Sequence, residues 1–400
     1  MASGGAQYRM KVALYYPWVY LTGGPERIIV QLTAGSRHEW TIFTNHYEPE
    51  ATFPEMRQLE VIELPRVSVR RSFHDVAVAA WRIARQKLPL EGYDALVVLS
   101  EGLGDFATFR NHDLPIICLC LTPLRAAFDP YYQCGYLAMH RDRPWSRLAL
   151  GAAGAAFRTA DRLAWKRYER VLAISGEVRR RVLRGRLCPE GKIELLRPGI
   201  DPARLTPGAL YEKTFLIPGR IMWTKNIELG IDAFRLLAGR RPDLKDYRLI
   251  IAGIVDKKSR SYAARLRARA DGCPGIVFIE SPSDRELLSL YQSACAVVYP
   301  PFNEDWGLVP LEAMACGKPV IALNRGGPVE TVVDGETGFL ADPAPEAFAD
   351  AMERLADDPE LPRRMGARGR QRALRFQWKD FCEGLDGCLD RVVNGRQLAA

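Results

Sequence analysis

The stretch ACAVVYPPFNEDWGLVPLEAMACGKPVIALNRGGPVETVVDGETGFL, residues 294–340, decides the fold. Ala294 to Tyr299 is short, apolar and β-branched, the pattern of a buried parallel strand, and Pro300 and Pro301 stop it. A loop runs from Phe302 to Gly307. Pro310 suits the first turn of a helix, where a missing N–H costs nothing, and Cys316, Gly317, Lys318 and Pro319 end that helix before the apolar run Val320 to Leu323. The unit is strand, loop, short helix, strand. Such a crossover sets a helix N-terminus, with unpaired N–H groups and the positive end of its dipole, at the carboxyl edge of a parallel sheet, where a phosphate binds readily. Two carboxylates flank that terminus, Glu304 in the loop and Glu312 within the helix.

The same alternation extends through the chain. Strand patterns at Lys11 to Tyr16, Glu39 to Thr44, Leu59 to Leu64, Ala95 to Ser100 and Ile116 to Leu121 are separated by helical ones such as Ser72 to Lys87. Arg158 to Tyr168 reads as a basic helix, Arg170 to Ile174 as a strand, and Ser175 with Glu177 as a helix N-cap followed by an acidic first turn. Pro198-Gly199-Ile200-Asp201-Pro202 is a linker, after which the pattern restarts with strands at Thr214 to Pro218, Arg248 to Ala252 and Ile276 to Ile279 and helices at Asn226 to Ala238, Ser259 to Ala270 and Asp284 to Ser293. Pro345 to Leu355, Pro359 to Phe376 and Asp380 to Val393 close the chain as helices. Strands alternating with helices imply an α/β fold with parallel sheets covered on both faces, here two doubly wound halves facing a cleft, whose ligands lie beyond the carboxyl ends of the strands. The expected division is an N-terminal Rossmann-like domain over 1–200, a second over 201–375, and a helical segment over 376–400.

Four hundred residues suit two such domains, and 48% hydrophobic with 26% charged residues is ordinary for a globular protein. The net charge of +8 is uneven: residues 1–196 hold 27 Lys and Arg against 20 Asp and Glu, and 197–400 hold 29 against 28. The excess is densest between Arg141 and Lys192, around Arg179-Arg180-Arg181, Arg184 and Arg186, and fits either a solvated helix face or an anionic membrane surface or acidic acceptor. Nucleic acid is disfavoured, because no known binding module is spelled out. Nine cysteines without metal-ligand spacing read as small buried residues of a reducing compartment. With neither a leader pattern nor a run of about 18 apolar residues, the expected location is cytoplasmic, with membrane association at most peripheral, and Met1 to Tyr8 is expected to be a disordered tail.

The Glu304 to Glu312 spacing, the wording EDWGLVPLEAMACGKPVIA followed by GGPVETV and GETGFL, Gly219-Arg220 with Lys225 five residues on, Gly23-Gly24-Pro25-Glu26-Arg27, and Arg197-Pro198-Gly199-Ile200-Asp201 together resemble the retaining glycosyltransferases of family 4. The resemblance covers nearly the whole chain. It implies the GT-B architecture, two facing Rossmann-like domains with a C-terminal crossover helix, and a nucleotide-diphosphate sugar as donor. Glu304 then holds hydroxyls of the donor sugar, Glu312 the ribose hydroxyls, and Phe278 to Ser281, Ile279 among them, the base. A diphosphate needs cations and N–H donors, which Arg220 and Lys225 and the N–H groups of Gly307, Leu308 and Val309 can supply. Catalysis falls to Glu304, Arg220 and Lys225. Gly23, Gly24, Gly219, Asp305 and Trp306 join the expected donor contacts, and Gly23-Gly24 fits a sharp turn or a close backbone approach. No cofactor and no metal site are expected, as no Asp-x-Asp pattern is present.

One position departs from the family. Many members carry a His before Thr-Pro at the end of a first-domain strand, where this chain has Leu121 followed by Thr122 and Pro123. His38, His46, His74, His112 and His140 lie elsewhere. The wording around Thr44 to Pro49 and Glu304 to Gly307 is closest to mannosyltransferases using GDP-mannose, favoured here over UDP-sugars, with a glycan or lipid-linked acceptor. Trp18, Tyr20, Leu121, Thr122 and Tyr131 are the candidate acceptor contacts, with Tyr16, Tyr132 and Tyr136 as further rings able to stack on sugars or to pack. The competing readings are a non-catalytic nucleotide-sugar or glycan-binding protein and a GT-B epimerase.

Overall fold

The computed structural model describes residues 8–69, 73–139 and 144–397. Most of the expected tail, Met1 to Gln7, lies outside these residues, as do Ser72, His140, Arg141 and the side chain of Tyr136. The chain forms two compact units, Met1–Pro198 with Trp378–Ala400, and Gly199–Gln377.

The first unit is built on seven strands: β1 (Lys11–Tyr15), β2 (Glu39–Thr44), β3 (Glu60–Glu63), β4 (Ala95–Ser100), β5 (Ile116–Cys120), β6 (Arg170–Ala173) and β7 (Ile193–Leu195). They lie in the order β3-β2-β1-β4-β5-β6-β7, every pair parallel. The second holds β8 (Thr214–Pro218), β9 (Arg248–Gly253), β10 (Ile276–Glu280), β11 (Ala296–Tyr299), β12 (Val320–Leu323) and β13 (Gly338–Ala341), in the order β10-β9-β8-β11-β12-β13, again all parallel. Helices cover both faces, so the central strands are almost wholly apolar; ALVVLS of β4, polar only at Ser100, and IICLC of β5 are buried throughout. In each sheet the order reverses at one place, between β1 and β4 and between β8 and β11, and the crevice beyond the carboxyl ends of those strands is where such sheets bind ligands.

The helix Trp378–Gln397 packs on the helix Gly24–Gly35 of the first unit. A Cβ on Gly35 would lie 2.7 Å from Cys382 Sγ, while Ser36 Oγ and the Arg37 N–H donate to Asp386 at 2.6 and 3.0 Å. The basic helix runs over Pro144–Trp165 instead of Arg158 to Tyr168; it ends early because Tyr168 turns back edge-on against Trp165, ring centroids 5.4 Å apart. The cysteine expectation needs one correction: all nine are free thiols, but Cys134 is exposed and Cys188 and Cys273 are half-buried, since they sit on a helix face and in turns rather than in strands. Of the arginine cluster, Arg179 pairs with Glu190 and the exposed Arg180 with Glu177, Arg181 is buried against Asp129 and Glu177, and Arg184 and Arg186 are exposed. No helix among the described residues is long and apolar enough to cross a membrane.

Candidate functional site

In the second unit the two loops at the reversal of strand order come from β8 and β11. Beyond β8, Gly219 turns with φ +117°, and Trp223–Lys225 forms one turn of 3₁₀ helix. Asn226 then adopts the left-handed conformation, φ 50° and ψ 41°, which Asn tolerates better than most residues, and opens the helix Ile227–Arg240. The buried Asn226 Nδ2 donates to the Pro300 carbonyl at 3.0 Å, and the Phe302 N–H to the Thr224 carbonyl at 3.3 Å, so the β8 loop is laced to the end of β11. That lacing brings Lys225 Nζ to 2.6 Å from Glu304 Oε2, each side chain about a quarter exposed, and to 5.7 Å from the Tyr299 ring centroid. Arg220, on the same loop, is half-buried and makes no ion pair or side-chain hydrogen bond among the described residues.

The β11 loop leads into the helix Leu308–Ala315. Gly307, φ +85°, opens it without a side-chain cap, and Pro310 removes one N–H from the first turn, leaving those of Leu308 and Val309 for an outside acceptor. Gly326 and Gly327 brace the loop from behind. The Gly327 N–H donates to the Glu304 carbonyl at 2.8 Å, and Cβ atoms built on Gly326 and Gly327 would stand 2.4 Å from Glu304 O and 2.2 Å from Trp306 O. Trp306, expected among the donor contacts, is 3% exposed and its ring packs edge-on to Phe376 at 5.5 Å, so its indole is turned inward. Asp305 stays half-buried beside it. Glu312 accepts from the buried Tyr291 Oη at 2.9 Å, and burial first, then the nearby Glu304 charge, pushes the Tyr299 hydroxyl well above the usual phenol range. Ile279 is half-buried near the end of β10, where Ser281, φ 50°, donates its N–H to the Gly253 carbonyl at 3.0 Å. Tyr299, Tyr291 and Asn226 were not singled out from the sequence, where they read as strand, helix and cap residues.

In the first unit, Gly23 and Gly24 both have negative φ, so a left-handed turn is not what requires them. Gly23 is constrained instead by the buried Glu26, whose Oε2 would meet a Cβ at 2.7 Å, while Gly24 has open space. Tyr16 Oη donates to Glu101 Oε2 at 2.9 Å, joining the loops after β1 and β4. Trp18 is half-buried, and Tyr20 stands edge-on to His46 at 5.5 Å. His46 is fixed by Arg66 Nε at 2.9 Å and Glu48 at 2.7 Å, a structural loop histidine. Leu121 is buried in the core with its N–H on the Ser100 carbonyl, so it presents no polar group. Thr122 Oγ1 accepts from Arg181 Nη1 and donates to the Pro123 carbonyl at 3.0 Å, and Tyr131 is 43% exposed.

Residues 209–372 match the family described as glycosyl transferases group 1. Among curated relatives, the alpha-1,3/1,6-mannosyltransferase ALG2 of Mus musculus is 44% identical over 188 residues, covering 45% of each chain. The D-inositol 3-phosphate glycosyltransferase of Corynebacterium diphtheriae is 34% identical over 243 residues, 53% of this chain and 54% of that one. The chain thus spans about half the length of the curated relatives it matches. Among solved structures, Anabaena Alr3699/HepE in complex with UDP and glucose superposes with a TM-score of 0.70 at 17% identity, covering 96% of this chain and 100% of that one. Sucrose-phosphate synthase from Thermosynechococcus elongatus superposes with a TM-score of 0.73 at 21% identity, covering 97% and 100%. At those identities the likeness is one of fold. Residues 209–372 therefore carry a pattern similar to the glycosyl transferases of group 1, within a chain of the GT-B fold.

Proposed function

We propose that the chain is a retaining glycosyltransferase that moves a hexose, mannose foremost, from a nucleotide-diphosphate sugar to a glycan or lipid-linked acceptor, without a metal ion. The observation that carries the reading is the Lys225–Glu304 pair at the reversal of the second sheet, beside the unpaired Arg220 and the uncapped start of Leu308–Ala315. Arg220, Lys225 and the Leu308 and Val309 N–H groups meet the diphosphate and the charge that grows on it as it leaves. Glu304 takes sugar hydroxyls and Glu312 ribose hydroxyls. Retention follows from attack on the face that the diphosphate leaves, one of its oxygens drawing the acceptor proton. GDP-mannose is favoured because ALG2, a mannosyltransferase by name, is among the curated relatives. The acceptor belongs to the first unit, near Trp18, Tyr20 and Tyr131, and the exposed Arg184 and Arg186 suit an anionic headgroup on the cytoplasmic face of a membrane.

A panel of GDP- and UDP-sugars, read by thermal shift and by release of free nucleoside diphosphate, tests this. Stabilisation by GDP-mannose with turnover that survives EDTA is expected; stabilisation by UDP-sugars alone overturns the mannose assignment. Glu304→Ala should abolish transfer in a folded protein, and a near-normal rate would remove Glu304 from the site. The buried Leu121 favours one second reading, a pure nucleotide-sugar binder, which would show saturable affinity and no release of nucleoside diphosphate.

A further inference from the structure

The helix Ile227–Arg240, which follows the Lys225 turn, begins without a cap of its own. Asn226 stands at the capping position, where an asparagine ordinarily has an extended backbone and accepts from the first-turn N–H groups. Here it is left-handed and its side chain bonds to none of them, its amide being given to the Pro300 carbonyl at 3.0 Å. Another helix supplies the contact. Tyr262, buried in Arg260–Ala270, accepts from the buried Ile227 N–H through Oη at 3.2 Å and donates to the Glu228 carboxylate, so one hydroxyl serves two successive residues of the first turn. Burial first, and then the Glu228 charge, raise its ionisation above the usual phenol range, and the proton given to Glu228 stays on the phenol oxygen. Asn226 has two uses for its side chain and can make only one. In the left-handed turn, Nδ2 laces the Lys225 loop to the end of β11; in an extended backbone, Oδ1 would cap the helix and the amide would leave Pro300. The Tyr262 hydroxyl holds the Ile227 N–H where the left-handed turn puts it.

We propose that Tyr262 is a positioning residue, its hydroxyl fixing the left-handed turn at Asn226 and thereby, through the Asn226–Pro300 bond, the place of Lys225 beside Glu304. The inference rests on the functional reading above for what Lys225 does there, but its first test needs no turnover. In protein labelled with ¹⁵N at asparagine, the Asn226 Nδ2 signals, assigned by their loss in Asn226→Asp, report solvent exchange of the bonded amide. Tyr262→Phe should speed that exchange about tenfold, the weight of one hydrogen bond. Arg269→Met is the control: it cuts the fork onto Asp232, at 2.5 and 2.6 Å, that also ties these two helices, and should leave the exchange in place. A rate unmoved by Tyr262→Phe, or raised equally by Arg269→Met, overturns the proposal and leaves Tyr262 as a brace between helices. Should Tyr262→Phe fail to fold, 3-fluorotyrosine at position 262 keeps the ring and weakens the oxygen as an acceptor; faster exchange supports the proposal and an unmoved rate overturns it. Calorimetry with inorganic diphosphate carries the test to the site. Tyr262→Phe should bind it several-fold more weakly, because a displaced Lys225 must be ordered again, and should change nothing further in Lys225→Met. Equal losses in both backgrounds count against the proposal. A wild type that binds neither diphosphate nor any nucleotide sugar defeats the functional reading alone, and the Asn226 exchange still decides the role of Tyr262.

Discussion

Replacing Gly327 by alanine sets two effects of opposite sign against each other. Gly327 has φ −60° and ψ −37°, a conformation alanine adopts without strain, so a less flexible unfolded chain would by itself stabilise the variant by about 0.4–1 kcal/mol. Space argues the other way. The new Cβ would lie 2.2 Å from Trp306 O, 2.4 Å from its Cα and 2.6 Å from its carbonyl carbon, so the loop backbone must retreat by roughly 1 Å to reach ordinary contact. The indole, buried against Phe376, resists that movement, and forced overpacking costs about 1–3 kcal/mol. The net expectation is a loss of about 1–2 kcal/mol. The displaced backbone takes Glu304 with it through the Gly327 N–H bond, and a misplacement of that size costs on the order of 10²-fold in turnover. Urea unfolding followed by tryptophan fluorescence and release of nucleoside diphosphate measure the two. Gly335→Ala is the control: φ there is +72° with nothing within 4 Å of the new Cβ, so about 1 kcal/mol should be lost and turnover kept. A Gly327→Ala protein as stable and as active as the wild type would refute the account of how the Glu304 loop is held.

Three other perturbations have defined outcomes. Burial holds the Asp105 carboxyl at about 6 against 3.8 unfolded, despite donors from Tyr168 and Ser100; a raised folded pKa is stability present below about pH 4 and lost as pH rises through 6. Asp105→Asn should therefore flatten a decline on the order of 3 kcal/mol between pH 4 and 6, and an unchanged slope in denaturant titrations would exclude Asp105 as its source. Arg181→Met removes one of the cations, Arg125 being another, that face the fully buried Asp129 and should cost about 3–5 kcal/mol; a change below about 1 kcal/mol means the cluster is hydrated. Glu304→Gln removes the carboxylate competing for Lys225, so calorimetry with inorganic diphosphate should show several-fold tighter binding, and unchanged affinity would mean that Lys225 does not meet the anion.

The fold was legible wherever a strand is covered on both faces, because burial on two sides leaves little room for polar residues: β5 and β12 are continuous apolar runs, and β4 is one up to its last residue, Ser100. The strands that escaped notice are edge strands. β7 is three residues with Glu194 in the middle, and β13 opens with Gly338 at φ +159°, where its backbone runs so close to Val320 that a Cβ would stand 2.0 Å from that carbonyl. Each is too short for its pattern to register: IEL is three residues, and GFLA opens on a glycine. The helix Pro130–Met139 was hidden for another reason: its first turn is anchored by the buried Asp129, which accepts the Tyr131 and Tyr132 N–H groups, a contact that periodicity does not register.

The site was legible as a set of residue types and illegible as a set of partnerships. Glu304, Glu312, Arg220 and Lys225 are legible as candidates for an anionic sugar ligand, but which side chain meets which depends on loops from strands far apart in the sequence. Lys225 reaches Glu304 because Asn226 takes a left-handed turn and bonds to Pro300, a junction no spacing rule contains. The sequence does not show that Phe376, seventy residues after Trp306, takes its ring into the core. The physical consequence concerns charge. Glu304 and Lys225 are each other's partner at 2.6 Å, so a bound donor must exchange that ion pair for two new contacts rather than fill two open valences. Only a ligand offering both a diphosphate for Lys225 and hydroxyls for Glu304 replaces what it breaks, and a bare nucleoside diphosphate leaves Glu304 competing for its lysine. On the proposed function, the ion pair thereby discriminates between donor and spent donor.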